Sequence, residues 1–434
     1  LVLIVAEACG EERIPGAYAL APARGKCAGR GAGTPDLHVP MKNRLGKRID
    51  TVLEAVRPRL ARRRAGPGAP RLAILGSRGI PARYGGFETF VEELAPRLVE
   101  RGIEVTVFCE GAQGARPSEL AGVQLRYARA WAPGPLRALQ YDARCIVGAL
   151  RGHDVVYMLG YGAAPFCLVP RLFGKQVWIN MDGLEWRRSK WSLPARAWLW
   201  AMERTAFTCA SRLLFDNASL RREVEARRGV HVPASVIEYG TALYERDDQK
   251  EVVEHYGLEP GGYYLAVARA EPENHLLEIV RAHRASGSSR PLVVVTRLER
   301  ESRYVRALRA AAGARTRLFD ALYDPGQMRP LRRHALAHLH GQSVGGTNPS
   351  LLEAMGCGNL VLAHDNPFNR ETLGGHGLFW SSEDELALRL AECEGLESSV
   401  REGLRSAALE RAREHYGWER IADAYAALVR EYAA

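Results

Sequence analysis

The sequence is short of several features that would otherwise decide its class. No apolar run reaches the ~18 to 20 residues needed to span a bilayer, and the opening LVLIVA lacks the basic flank of a signal peptide. Any membrane contact is therefore expected to be peripheral. The eight cysteines (Cys9, Cys27, Cys109, Cys145, Cys167, Cys209, Cys357, Cys393) form no CxxC pair and keep no regular spacing. Several sit in apolar stretches, as free thiols do in a reducing compartment, so a cytoplasmic location is the expectation. No GxGxxG is present, which removes the dinucleotide fingerprint. His334, His338 and His340 have no carboxylate or cysteine partner at a ligand's spacing, so no metal is expected; they read as surface histidines, or His340 as the lining of a ligand cleft. There is no internal repeat and no RNA- or DNA-binding signature. The net charge of +10 is largely scattered arginine, which suits a phosphate-bearing substrate or an anionic lipid face better than nucleic acid.

What is present suggests two α/β domains. At 434 residues the chain exceeds what one core usually organises, and 47% apolar with 25% charged residues is ordinary for a globular protein. Residues 1–69 are dominated by Ala, Gly, Pro and Arg and read as a mis-started or disordered leader, with a more plausible beginning at Met41. Within them, Arg44 to Arg64 carries apolar residues at helical spacing, a basic helix that suits either an anionic membrane or a solvated flank. From Arg71 the pattern becomes strand, glycine turn, helix: LAILGS, RGIPARYGGFE and TFVEELAPRLVERG. Further buried strands are expected at EVTVFCE, Asp154 to Leu159, Gln176 to Met181, Arg212 to Phe215, YYLAVA, PLVVVT and LVLAHD. Such alternation implies parallel sheets covered on both faces, with ligands at the carboxyl ends of the strands. The expected division is a first domain over 70–245, a second over 246–415 and a closing helix over 416–434.

The stretch His340 to Leu373 carries the most chemistry. Gly345 and Gly346 form a turn, Thr347 or Asn348 can cap the following helix, and Pro349 suits its first position. Free N–H groups and the positive dipole end there make an anion site. Glu353 lies one turn inside, where it can accept hydrogen bonds from sugar hydroxyls or simply be solvated. A phosphate at the turn and hydroxyls at the carboxylate together suggest a nucleotide sugar. In the first half, Gly85 and Gly86 bring backbone close to a ligand just before a helix, or form a tight turn. Asp182 ends a strand; it and Glu185 are candidates for binding or deprotonating an acceptor hydroxyl, against a plain Asp-Gly turn and an ion pair of Glu185 with Arg187 or Arg188. Five of the eight tryptophans (Trp178, Trp186, Trp191, Trp198, Trp200) are interleaved with Arg187, Arg188, Lys190 and Arg196. That composition fits a membrane interface, or a core helix with arginines reaching out.

GGTNPSLLEA, INMDGLEWRRSKW and GSRGIPARYGGFETF resemble, in the same order, the motifs of family 4 glycosyltransferases, most of all the bacterial polysaccharide rhamnosyltransferase branch; the similarity runs from about Arg71 to the C-terminus. The resemblance implies the GT-B fold, two doubly wound Rossmann-like domains facing a central cleft, with a last helix crossing back to the first. It implies a retaining transfer of a sugar, rhamnose above all, from a nucleotide diphosphate sugar to a glycan acceptor, expected to be lipid-linked, without a metal cofactor. Gly85, Gly86, Arg269, Asn274, His340, Gly345, Gly346, Thr347, Asn348 and Glu353 would then hold the donor, Arg269 serving the diphosphate, and Asp182, Glu185 and Arg269 would take part in the chemistry. Two departures stand out. The wider family has two glutamates eight positions apart, and the first position here is Gly345; the family's diphosphate lysine is replaced by Asn274. A nucleotide-sugar epimerase or hydrolase of the same fold, or a non-catalytic sugar-nucleotide-binding partner in a polysaccharide assembly complex, are the alternatives.

Overall fold

A computed structural model describes residues 68–82, 85–111, 116–228, 231–244, 249–299 and 301–433, all of them within one compact unit, Ala65–Ala434. The expectations for residues 1–67, the basic stretch 44–64 included, lie outside the described residues.

The first sheet has eight strands in the order β3-β4-β2-β1-β5-β6-β7-β8. They are β1 (Arg71–Leu75), β2 (Glu104–Glu110), β3 (Glu119–Leu120), β4 (Val123–Ala128), β5 (Val155–Met158), β6 (Gln176–Asn180), β7 (Arg212–Phe215) and β8 (Ala234–Val236). All neighbours are parallel except the β3–β4 pair. The second sheet has six parallel strands in the order β11-β10-β9-β12-β13-β14: β9 (Tyr264–Val267), β10 (Leu292–Val295), β11 (Thr316–Phe319), β12 (Ala337–His340), β13 (Leu360–His364) and β14 (Leu378–Trp380).

Each sheet begins on an inner strand, adds strands to one side, then reverses and adds the rest to the other. The reversal falls between β1 and β5, paired Leu72 to Val155, and between β9 and β12, paired Tyr264 to Ala337. At such a switch point the loops leaving neighbouring strands diverge, and the crevice at their carboxyl ends is where open α/β sheets bind ligands. Unbroken apolar runs such as LAIL of β1 and LVVV of β10 are buried because helices cover both faces.

The helices around the first sheet are α1 (Gly86–Glu100), α2 (Leu136–Ala149), α3 (Leu168–Leu172), α4 (Leu193–Cys209) and α5 (Ala218–Arg228). Those of the second half are α6 (Lys250–His255), α7 (Leu276–Ala285), α8 (Arg303–Ala311), α9 (Pro325–Arg333), α10 (Pro349–Gly356), α11 (Pro367–Leu373), α12 (Glu383–Gly395) and α13 (Ser398–Tyr416). The last helix, α14 (Trp418–Ala433), returns to the first sheet. Its Ile421, Tyr425 and Val429 join Val91, Leu94 and Leu98 of α1 in one buried cluster. Tyr425 OH meets Tyr157 OH of β5 at 2.9 Å, and Glu419 and Asp423 pair with Arg97 and Arg101 at 2.7 to 2.9 Å. The two crossings between the halves run side by side: Thr241 N donates to Tyr416 O at 2.6 Å, and Gly240 has no room for a Cβ, which would lie 2.3 Å from the Trp418 ring.

Candidate active site

The turn that follows β12 is built from backbone. Asn348 caps α10, its Oδ1 accepting from Ser350 N at 2.8 Å, and Pro349 occupies the first position, as the residue types dictate. Leu351 and Leu352 N–H groups donate to Asn348 O. The cap therefore satisfies the first turn of the helix itself, and the open donors lie just ahead of it. Among the described residues, the N–H groups of Gly345, Gly346 and Asn348 donate no hydrogen bond, while that of Thr347 is directed at the Asp216 carboxylate and works against its upward shift. Gly345 has φ +126°, a conformation that suits glycine. A row of unpaired amides at a capped helix start is an anion-binding concavity.

The first half meets this turn directly. Thr347 Oγ1 donates to Asp216 O at 2.6 Å, and a Cβ on Gly346 would lie 1.9 Å from Asp216 Oδ1. Gly183, with φ +75°, has its missing Cβ directed at Gly345 Cα, 2.8 Å away, and that of Gly86 would stand 3.6 Å from Pro349 Cγ. Gly86 O accepts from Tyr239 OH at 3.1 Å. Gly85 (φ +96°) starts α1, and Glu88 on that helix folds back to accept from Arg78 N at 2.8 Å, fixing the loop that follows β1.

Asp182 and Asp216 end β6 and β7, side by side at the carboxyl edge. Asp182 accepts no hydrogen bond among the described residues. Burial, then the charge of Glu185, pushes its carboxyl up to about 7, with Arg188, Arg269 and Lys190 opposing. Burial and the charge of Asp182 push Asp216 up to about 8, and its Oδ1 is enclosed with no partner. Glu185 is engaged: Arg188 Nε stands 2.7 Å from Oε1, Trp191 Nε1 donates to Oε2 at 3.1 Å, and Lys190 Nζ lies 3.8 Å away. Its backbone is held by buried Tyr161, whose hydroxyl accepts from Glu185 N at 2.9 Å and donates to Gly183 O at 3.1 Å. Of the two expected acidic groups, Asp182 is open and Glu185 is an ion-pair anchor.

Arg188 is the group that the pattern of the sequence did not single out for the site. Burial works against its charge, yet Glu185, Asp182, Glu273 and Glu271 together hold its pKa above the usual value. Its Nη2 lies 3.5 Å from the place a Gly345 Cβ would take. Asp216 was missed too, although it follows RLLF as Asp182 follows the strand QVWIN; that parallel was the signal available.

The remaining candidates sort by what already holds them. Arg269 is exposed, with no hydrogen bond or ion pair from its guanidinium among the described residues. Asn274 Nδ2 donates to Arg269 O at 2.9 Å, and Asn274 O packs so tightly on Gly341 that a Cβ there would be 2.2 Å away. Asn274 thus shapes the loop under the turn. Glu353 Oε2 accepts from Arg332 Nη2 at 2.5 Å, with the carboxylate side chain 46% exposed. The surface reading of His338 and His340 is corrected: both are buried, 0% and 3% exposed, because β12 lies inside a sheet covered on both faces. Burial brings the His340 ring down to about 3, leaving it neutral, and its Nε2 has no partner. Across the interface, Ser189 Oγ donates to Glu273 Oε2 at 3.0 Å. Glu371 of α11 accepts from Ala218 N and Ser219 N, both at 2.6 Å, capping a helix of the opposite half.

Residues 70–242 match the profile of a domain of unknown function, DUF1972. No curated protein sequence matches the chain. Among solved structures, the sucrose-phosphate synthase of Thermosynechococcus elongatus is similar at 17% identity and TM-score 0.70, over 83% of this chain and 98% of that one. The Anabaena protein HepE in complex with UDP-glucose is similar at 16% identity and TM-score 0.67, over 83% and 99%. The α,α-trehalose 6-phosphate synthase of Burkholderia multivorans follows at 14% identity and TM-score 0.64, over 84% and 97%. Identities this low speak to architecture alone, and the architecture is the GT-B fold, two Rossmann-like domains joined by paired crossings.

Proposed function

We propose that this protein is a retaining glycosyltransferase, moving a sugar, rhamnose above all, from a nucleotide diphosphate sugar to a hydroxyl of a lipid-linked glycan. The observation that carries the reading is the group of unbonded amides at Gly345, Gly346 and Asn348, set at one switch point and facing Asp182, Asp216 and Arg188 from the other half. The UDP-glucose complex of HepE, a protein of the same fold, supports a nucleotide sugar as the donor.

In this reading the diphosphate lies on those amides, with Arg269 at its exposed side. Arg188 supplies from the first half the positive charge that Asn274 does not. As the bond from the anomeric carbon to the phosphate oxygen breaks, negative charge grows on that oxygen, where fixed donors in a dry site stabilise it most. The acceptor hydroxyl attacks from the same side, and its proton passes to the departing phosphate oxygen. Asp182 orients that hydroxyl, and Glu185 holds Arg188 in place. Glu353 takes ribose hydroxyls through the oxygen that Arg332 leaves open.

The test is release of nucleotide diphosphate from thymidine-, uridine- and guanosine-linked sugars, with and without lipid-linked glycan. Acceptor-dependent release from one donor is expected. Arg269→Ala, which breaks no hydrogen bond or ion pair of the guanidinium among the described residues, should lower kcat/KM by on the order of tenfold or more, the worth of a charged hydrogen bond. Release without acceptor would indicate a hydrolase or epimerase, and donor binding without release a non-catalytic partner.

A further inference from the structure

Helix α4 turns the wrong face outward. Its inner side, Met202, Glu203, Ala206 and Cys209, is buried against the first sheet. A surface helix so packed normally presents polar residues to water. Here the outward sector, over successive turns, is Leu193, Ala197, Trp198 and Trp200, with Arg204 the one charge among them and Trp191 just ahead. Leu193 is 77% exposed, Trp198 46%, Trp200 43% and Trp191 40%. Among the described residues, Leu193 and Trp198 belong to none of the buried clusters, and apolar side chains this large at the surface mark a contact face.

The charges around the patch are sorted by sign. The two acids of the segment point inward: Glu203 is buried and accepts from Trp186 Nε1 at 2.7 Å, and Glu185 is enclosed by Arg188 and Lys190. Ahead of the helix Arg187 pairs with Glu223 at 2.6 Å, whereas the bases of α4 itself have no acid among the described residues. Arg196 spends Nε on Trp186 O at 2.8 Å, and Arg204 lies over the Trp200 ring at 4.7 Å. Neither makes an ion pair among the described residues. Tryptophan beside unneutralised arginine, on an outward helix face, matches the layered chemistry of a lipid headgroup region: apolar below, anionic above. No helix of the described residues is long and apolar enough to cross a membrane.

We infer that the outward face of α4, with Trp191, docks the protein in the plane of an anionic phospholipid surface. The patch stands on exposure and charge alone and does not depend on the catalytic reading, although it would bring the cleft to a lipid-borne acceptor.

The experiment is co-sedimentation of the full chain with vesicles of phosphatidylcholine containing phosphatidylglycerol, against phosphatidylcholine alone, with tryptophan emission as a second readout. Binding should favour the anionic vesicles, weaken as salt rises, and shift the emission to the blue. The Leu193→Ser/Trp198→Ser double variant should weaken partitioning on the order of tenfold or more. Arg204→Glu should weaken it on anionic vesicles only. Both variants should keep the unfolding temperature and the nucleotide diphosphate release measured with a detergent-dispersed acceptor. Full binding in both variants, equal binding to both vesicle types, or no binding at all would overturn the proposal. So would concentration-dependent self-association that the double variant abolishes, which would assign the face to a second copy of the chain. Loss of release with vesicle binding intact would sink the catalytic reading alone.

Discussion

At the end of β12 the second half offers backbone, the amides of Gly345, Gly346 and Asn348, which donate no hydrogen bond among the described residues. At the ends of β6 and β7 the first half offers side chains, two carboxyls and a guanidinium in an enclosed space. Both sheets start on an inner strand and reverse at a switch point, although the first has eight strands and the second six, so the difference at the site lies in the loops. Amides are neutral, and one left unpaired in a buried place costs about 1–3 kcal/mol, a penalty that a bound anion removes. Carboxyls in the same gap resist ionisation until water or a cation reaches them. The fit between the halves, with glycine where any side chain would collide, therefore sets the protonation state of the first half and the accessibility of the second.

The largest break in that relation should come from Gly183→Ala. Its Cβ would press on Gly345 Cα across the interface at 2.8 Å, displacing the turn, and a displacement near 1 Å at a reacting site can cost about a hundredfold in rate. Gly174→Ala is the control: it has a nearly equal φ, +74°, but open space around it. It should cost about 1–2 kcal/mol of stability and leave kcat/KM alone. Comparable kinetic losses in the two variants would show that the interface contact is irrelevant.

Next in size is Glu371→Ala. It strips α5 of two backbone caps supplied from the other half, and denaturant unfolding should register a loss of about 1–2 kcal/mol. An unchanged midpoint would mean that the halves are held by other contacts.

A smaller effect should be read in pH. Asp216 binds its proton more tightly in the folded chain, up to about 8, than in the unfolded one. Between the ordinary carboxylate range and that value the folded state holds more protons, so stability falls as pH rises. Asp216→Asn should remove that slope, raising the unfolding temperature at pH 8 while changing it less near pH 5. A gain concentrated at low pH would reverse the sign and contradict the burial argument. Smallest should be the donor dependence of Glu353→Ala: a thymidine nucleotide has one ribose hydroxyl to lose, so its KM should rise less than that of a uridine donor.

Much of the architecture could be read from the chain because its inner strands are unbroken apolar runs; Arg212–Phe215 fell at the expected place. The edge strands could not. Glu119–Leu120 is exposed and Thr316–Phe319 only partly buried, so neither carries a period. AHLH of β12 looked polar because alternation is the mark of a half-exposed strand, whereas here the sheet is covered on both sides. Asn348 and Pro349 declared the start of α10 through local chemistry. Arg188 and Asp216 did not declare themselves, since what gives them meaning is Gly345 and Gly346, over a hundred residues away, and closure of the halves has no local signature.

The central claim is that both halves hold one nucleotide. Hydrogen exchange of the full chain with and without thymidine, uridine or guanosine diphosphate tests it most directly. The account predicts that one of these nucleotides slows exchange at residues 345–348 and at 182–190 together, with Arg269→Ala weakening both in parallel. Binding that leaves the 345–348 amides unprotected, or protects only one half, would contradict it.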